Sequence, residues 1–510
     1  MRLPYRCTRR EFVLTSLTGI AGLAYKTRAE SAQETRSDTD AHLLELSATD
    51  ALLLLRNGDL SAERYAKALL SQCNKHRDLN AFIFLDQERV IDDAMAADKR
   101  RSSGKVLGPL HGLPVSIKDN IDTENAPTSA GTPALRTHRP KANAPVAQSL
   151  FSAGAILLGK TNMHELAYGI TSNNASFGPV QNPYDSSLIP GGSSGGTAAA
   201  IAARMCAAGL GTDSGGSVRI PAALCGVVGL CPTVGRYPGH GIVPISHTRD
   251  TPGPLARSIQ DLVLIDSVIT ADTNPISAMA LRGTRIGVPR GFFYDNLDTE
   301  LAPVVESALA KLRDAGCVLV EADVPDVQKL VCAITAPISF YESLADLSQY
   351  LKTSGSDLTV QDVVAQIASP DVKAIYDEFI VGPKAPTLEA YQTAMEKGRP
   401  VLQAAYRDYF RSQNVVAIAF PTTALPSRPI GQDKEVELNG KQVSTLFTYL
   451  RNTRPITTTG IPGLSLPIGT TPSGLPVGLE FDAPFGEDRG LLSLAIAAEQ
   501  IFGKLEPPRM

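Results

Sequence analysis

Apolar residues along this chain keep changing period, and each change marks an element. Leucines at helical spacing dominate the start. Ser47-Ala48-Thr49-Asp50 reads as a capping box ahead of a helix over 51–56, which Asn57-Gly58 ends, and Ser61 caps a second helix running to about His76. A third helix, over 87–101, is charged on one side and closes at Gly104. The pattern then turns short and continuous: Gly112-Leu113-Pro114-Val115-Ser116-Ile117-Lys118 reads as a buried strand with Lys118 at its carboxyl end. A helix over 145–153 with proline in its first turn precedes an apolar strand over 155–158. Beyond Pro221 the two periods alternate, with helices over 258–269 and 299–315 and strands over 285–288 and 318–321. The span from about 330 to 400 is helix-rich and less regular. A strand over 415–420, a hairpin of 464–468 with 475–481 across Thr471-Pro472-Ser473-Gly474, and a helix over 490–501 complete the chain. This alternation predicts an α/β fold, and the absence of internal repeats or a clear linker favours a single large domain.

Composition narrows the class of partner. With 510 residues, 43% hydrophobic and 20% charged, the chain is long enough for a sizeable core, and its net charge of -4 gives no reason to expect nucleic acid or an anionic membrane. The N-terminus is more specific: Thr8-Arg9-Arg10-Glu11-Phe12-Val13-Leu14 puts an arginine pair before a modest apolar run over 12–25. That is a twin-arginine export signal in form, with Ala29-Glu30-Ser31 offering small residues for cleavage. Residues 1–31 are therefore expected to be a signal peptide and 40–505 the folded domain, in an exported protein of the bacterial periplasm. The apolar run is shorter than the roughly 20 residues of a spanning helix, and no other stretch is expected to reach that length, so stable membrane association is not expected. The seven cysteines show no Cys-x-x-Cys pair and no Cys/His cluster at zinc spacing, so metal binding is not supported. After export, buried free thiols and disulfides both remain open.

The candidate chemistry lies between Ser186 and Ala223, where two glycine-framed serine clusters flank a small-residue helix around Ala198-Ala199-Ala200-Ile201-Ala202-Ala203. The clusters are Gly191-Gly192-Ser193-Ser194-Gly195-Gly196 and Ser214-Gly215-Gly216-Ser217. Serine needs a base within hydrogen-bonding reach to act as a nucleophile. The first cluster satisfies Gly-x-Ser-x-Gly on both Ser193 and Ser194, but the last histidine is His247, too early for the Ser, Asp, His order of a nucleophile elbow. A phosphate-binding Gly-x-x-x-x-Gly-Lys-[Ser/Thr] is absent, and Gly209-Leu210-Gly211-Thr212-Asp213-Ser214 lacks the third glycine of a dinucleotide fingerprint. Ser102-Ser103-Gly104-Lys105 matches Ser-x-x-Lys but sits in a helix-ending loop. A lysine base remains, and burial is what would free its proton near neutral pH. Lys118 is the best-placed lysine, although spacing alone does not single it out.

At these residues the chain resembles the amidase signature hydrolases. The resemblance is carried by Val115-Ser116-Ile117-Lys118-Asp119-Asn120, Lys160-Thr161-Asn162-Met163, Pro190-Gly191-Gly192-Ser193-Ser194-Gly195-Gly196 and Gly211-Thr212-Asp213-Ser214-Gly215-Gly216-Ser217-Val218-Arg219. Cys225-Gly226-Val227-Val228-Gly229-Leu230, Leu464-Ser465-Leu466-Pro467 and Gly474-Leu475-Pro476-Val477-Gly478-Leu479 continue it over nearly all of the chain beyond the leader. It implies a mixed, twisted β-sheet covered by helices on both faces, no cofactor, and a small-molecule amide as substrate. It also implies a triad of Ser217 as nucleophile, Ser193 as bridging serine on a cis Gly192–Ser193 peptide, and Lys118 as base. The backbone amides of Ser214, Gly215, Gly216 and Ser217 are then expected to face the oxyanion, with Ser194, Asp213 and Arg219 supporting the loop and Thr212 structural.

Two departures narrow the branch. Where the glutamine-hydrolysing amidotransferase subunits of this family typically carry aspartate and glutamine, this chain carries His164 and Ile220, which favours a stand-alone hydrolase, monomeric or homodimeric. His164 itself reads as structural. The stretch Gly241-Ile242-Val243-Pro244-Ile245-Ser246-His247-Thr248-Arg249-Asp250-Thr251 resembles the indoleacetamide and mandelamide hydrolase branch, which implies a small apolar or aryl-alkyl amide. The acyl pocket is expected around 337–350 and near Phe447. An esterase or carbamate hydrolase with the same triad is the alternative within enzymes. An amidotransferase subunit acting with a partner and transfer RNA, or a binding protein with a vestigial site, are the alternatives outside that chemistry.

Overall fold

The computed structural model describes residues 41–510, and the chain divides into two units, 1–45 and 46–510. Of the first unit, residues 41–45 are helical. The export signal expected over 1–31 lies outside the described residues.

The second unit is built on β1 (Phe82–Phe84), β2 (Pro114–Lys118), β3 (Ile156–Thr161), β4 (Ala208–Asp213), β5 (Val228–Cys231), β6 (Thr251–Ala256), β7 (Arg285–Gly287), β8 (Val318–Val320), β9 (Ala417–Pro421), β10 (Glu435–Leu438), β11 (Lys441–Ser444), β12 (Gly463–Thr470) and β13 (Pro476–Asp482). Among the described residues eleven of these form one sheet in the order β1-β3-β2-β4-β6-β5-β12-β13-β9-β7-β8, while β10 and β11 make a separate hairpin. β2 runs parallel to both β3 and β4, as β7 does to β8 and β9, and the other neighbours are antiparallel. The sheet is thus mixed and flanked by helices, the fold class expected. All five positions of β2 are buried, which is why its sequence reads as a continuous apolar run rather than an alternating one.

Several local expectations hold for the reasons that motivated them. Ser47 and Ser61 accept hydrogen bonds from the amides of Asp50 and Arg64 at 3.0 and 3.1 Å, capping helices Ala48–Asn57 and Ala62–Lys75. β12 and β13 pair antiparallel, Leu464 opposite Phe481. Other expectations need correction. The two serine clusters are separated by helix Gly195–Ala202 and then by a strand, β4, not by a helix alone. β4 (AGLGTD) and β6 (TPGPLA) are central strands without a β-branched core. Their small residues are required by the neighbours: a Cβ on Gly211 would stand 2.7 Å from the Ser194 hydroxyl.

The region after 330 contains helix Val327–Ser354, with Pro337 inside it. This helix does reach the length and apolar content of a membrane span, contrary to expectation. Its apolar content is used internally: Val331, Ile334 and Ile338 pack in one core cluster, and Leu347, Tyr350 and Leu351 in another. All six described cysteines are free; Cys73, Cys206, Cys225, Cys231 and Cys317 are buried and Cys332 is exposed.

Candidate active site

Lys118 ends β2 between two parallel neighbours, and the carboxyl ends of parallel strands are where open α/β sheets hold ligands. Its side chain is fully buried. The ammonium lies 2.8 Å from Ser193 Oγ and 2.8 Å from Thr212 Oγ1, with the Thr212 carbonyl at 3.5 Å. All three partners are neutral. Burial pulls Lys118 down to about 7, against the attraction of Asp213 and Asp250, so near neutral pH a large fraction of the amine carries no proton.

The bridge to the second cluster is covalently and hydrogen-bond defined. The Gly192–Ser193 peptide is cis, as expected, and the Ser193 carbonyl accepts from the His164 amide at 3.2 Å. The Ser194 amide donates to the Ser217 carbonyl at 3.1 Å, tying one cluster to the other. Among the described residues Ser194 Oγ makes no hydrogen bond to Lys118. It donates to the Thr212 carbonyl at 3.3 Å, beside the ammonium. Ser193 and Ser194 are fully buried, whereas Ser217 keeps 6% of its surface accessible and Ser214 8%.

Asp213 shapes the loop that follows. Its carboxylate accepts the amides of Gly216 at 2.6 Å and Val218 at 3.0 Å, and a two-pronged bond from Arg219 Nη2 and Nε at 3.0 and 3.1 Å. Burial alone would push this carboxyl up, but the Arg219 guanidinium and the two amides outweigh it and hold Asp213 below the usual carboxylate range. Arg219 also pairs with Glu480 on β13. Gly216 has φ 139°, open to glycine but not to side chains. Its amide points at Asp213, so Gly216 is removed from the expected oxyanion donors.

Several residues in this neighbourhood were not singled out from sequence. Thr212 was read as structural, yet its hydroxyl is a direct partner of Lys118 and also accepts from Asn120 Nδ2 at 3.1 Å. Asp250 accepts the amides of Ile245 and Ser246 at 2.7 and 2.9 Å, and burial raises its carboxyl to about 6. Arg249 is buried beside Gly215: a Cβ on that glycine would lie 3.3 Å from Leu450 and 4.0 Å from Arg249 Nη2. Arg249 bonds to Ser339 and to Thr457 Oγ1, which draws the region around 337–350 up to the serine loop. Phe447 is exposed, with Arg454 over its ring. These contacts join segments 90 or more residues apart, and no local signal marks them. His164 is buried with Nε2 2.9 Å from Asp371, a structural setting. Among the described residues, His247, Glu342 and Asp346 bring ligand-type atoms within 4.8 Å of one another. They already pair internally, His247 Nδ1 lying 3.0 Å from Asp346.

The family model described as Amidase matches residues 64–492. The chain is 44% identical over 454 residues to an indoleacetamide hydrolase of Agrobacterium vitis, covering 89% of this chain and 96% of that one. It is 38% identical over 484 residues to a mandelamide hydrolase of Pseudomonas putida, covering 92% and 93%. Among solved structures, the native peptide amidase of Stenotrophomonas maltophilia matches with TM-score 0.77 and 31% identity, over 91% of this chain and 98% of that one.

Proposed function

This chain belongs to the amidase family and is an amidase, and from that premise we propose that it hydrolyses a small aryl-alkyl primary amide to the acid and ammonia through an acyl-Ser217 intermediate. The observation that carries the mechanism is the buried Lys118 ammonium 2.8 Å from Ser193 Oγ, with its proton affinity drawn down to about 7.

Neutral Lys118 accepts the proton of Ser193 as Ser193 takes the proton of Ser217, whose Oγ attacks the amide carbonyl. The developing oxyanion is met by the amides of Ser214, Gly215 and Ser217, the Gly216 amide being committed to Asp213. One such donor is worth about 100- to 1000-fold in rate. The relay then returns the proton to the leaving nitrogen, ammonia departs, and water cleaves the ester with the same groups acting in reverse. Arg219 and Asp213 hold the loop in shape.

The substrate class is supported by the names of the indoleacetamide and mandelamide hydrolases, and by Leu450 standing beside Gly215. His164 and Ile220 separate the chain from the pattern of amidotransferase subunits. Export to the periplasm is proposed on Arg9-Arg10 and the apolar run that follows. Phenylacetamide, methyl phenylacetate and benzyl carbamate test the reaction: the amide should be turned over by wild type and not by Ser217→Ala. Turnover of the ester or carbamate without the amide would replace this reading with the esterase or carbamate one, and normal amide turnover by purified Ser217→Ala would remove the nucleophile assignment.

A further inference from the structure

Two buried arginines flank the serine loop, and they differ in what they are bonded to. Arg219 is paired with Asp213 and Glu480. Arg249 is equally enclosed, but its Nη atoms donate only to the hydroxyls of Ser339 and Thr457, and its Nε has no hydrogen-bond partner. Neither nearby carboxylate forms an ion pair with it among the described residues, although Asp250 and Glu342 both attract it. Asp250 takes two backbone amides on Oδ2 while its buried Oδ1 has no hydrogen-bond partner there, and Glu342 takes Ser246, Thr248 and Tyr391.

Burial weakens the Arg249 cation, Asp250 opposes that by attraction, and two further guanidiniums, those of Arg454 and Arg399, add to it by repulsion. Neither has an ion pair among the described residues. Arg454 reaches the Cys332 sulfur at 3.7 Å, Arg399 the Thr248 carbonyl at 2.8 Å, and the Nε of each is buried and unpartnered. A buried cation without a direct ion pair is costly, and arginine stays charged at neutral pH. Such a cluster is what a site for a planar anion looks like before the anion arrives.

The geometry points to a carboxylate-binding subsite made by Arg249 with Arg454 beside Gly215 of the serine loop. It rests on the amidase reading, because the acid released from Ser217 is itself a carboxylate formed next to this loop. Arg249 then holds the free acid more tightly than the neutral amide from which it came, and the product inhibits. A carboxylate carried on the substrate's acyl chain, as in the monoamide of a dicarboxylic acid, presents the same chemistry.

The deciding test uses binding, not turnover. Calorimetric titration of the full chain carrying Ser217→Ala with phenylacetate and with phenylacetamide should give at least about tenfold tighter binding of the acid, one charge-assisted bond's worth. Adding Arg249→Gln should remove most of that preference and leave phenylacetamide within about threefold. Arg454→Gln provides the same comparison should Arg249→Gln fail to fold. Succinamate turnover by wild type, lost in Arg249→Gln, assigns the carboxylate to the substrate, whereas inhibition by phenylacetate without succinamate turnover assigns it to the product; both support the subsite. Equal binding of acid and amide to the Ser217→Ala protein, or a preference that survives both arginine substitutions, overturns it. Because the two calorimetric titrations that decide the subsite need no catalysis, failure there is separable from failure of the amidase mechanism, which would appear as amide turnover independent of Ser217.

Discussion

Two fully buried lysines stand on adjacent parallel strands, Lys118 on β2 and Lys160 on β3, and their surroundings differ in kind. The register sets Lys160 beside Ile117 and Thr161 beside Lys118, so the two side chains leave opposite faces of the sheet. Lys160 lies 3.6 Å from Asp119 and donates to Thr128 Oγ1 at 2.8 Å and the Pro127 carbonyl at 3.0 Å. Lys118 meets hydroxyls and a carbonyl only. Burial pulls both ammoniums below the usual lysine range, but at Lys160 a contact carboxylate opposes it and at Lys118 none does. The difference teaches that burial alone does not make a base. On the proposed mechanism a buried lysine can serve as one when no contact carboxylate holds its proton in place.

The comparison breaks most visibly under substitution by methionine, which keeps the length and removes the nitrogen. Lys118→Met should lower kcat/KM for the amide by about 100- to 10,000-fold, the usual contribution of a general base, while the protein keeps or raises its Tm because an uncompensated buried amine is gone. Lys160→Met should do the reverse. It leaves Asp119 buried without its counter-ion, which costs roughly 3–5 kcal/mol, read as a lower denaturation midpoint with near-normal activity per folded molecule. If both variants lost stability alike, the distinction between the two lysines would be wrong.

How far this contrast was readable from sequence depends on distance along the chain. β2, the glycine-framed serines and the β12–β13 hairpin carry local signals: a continuous apolar run, repeated glycine, a Pro-Ser-Gly turn. Lys118 is marked locally by its place at the end of an apolar strand, but spacing does not single it out, and its role as base is implied by the family resemblance. The central strands β4 and β6 escaped because glycine, alanine and proline have little strand propensity, and there tertiary crowding selects small residues. Thr212, at the end of β4, was hidden with its strand. Asp119 as the partner of Lys160 could have been guessed from neither spacing nor pattern, because it is the register of β2 and β3 that brings them together.

A smaller effect sharpens the comparison through pH. Only neutral Lys118 can accept a proton, so kcat/KM should fall about tenfold per unit as pH drops below about 7. Stability has its own sign. The folded-state value lies below the ordinary 10.5, so between about 7 and 10.5 the unfolded chain binds more protons at this site than the folded one. The Lys118 contribution therefore makes stability rise with pH across that window. Lys118→Met should remove both the acid limb of activity and this part of the stability rise, whereas a rise unchanged by the substitution would assign it to other groups.

The finest test concerns Thr212, whose hydroxyl receives both Lys118 and Asn120. Thr212→Val keeps the shape and deletes the acceptor. A hydrogen bond accepted from the ammonium favours the charged form, so its loss should move the acid limb of kcat/KM to lower pH. The lysine nitrogen would then be held by Ser193 and the Thr212 carbonyl alone, and looser aim at Ser193 should lower the plateau rate by about tenfold, in the range of one hydrogen bond to a charged group. The two changes have separate readouts, one in the position of the limb and one in its height. Thr212→Ser, which restores the oxygen without the methyl, should recover the limb. A Thr212→Val enzyme with its limb unmoved would mean that Thr212 acts only in packing, and that the proton affinity of Lys118 is set by burial without help from its neighbours.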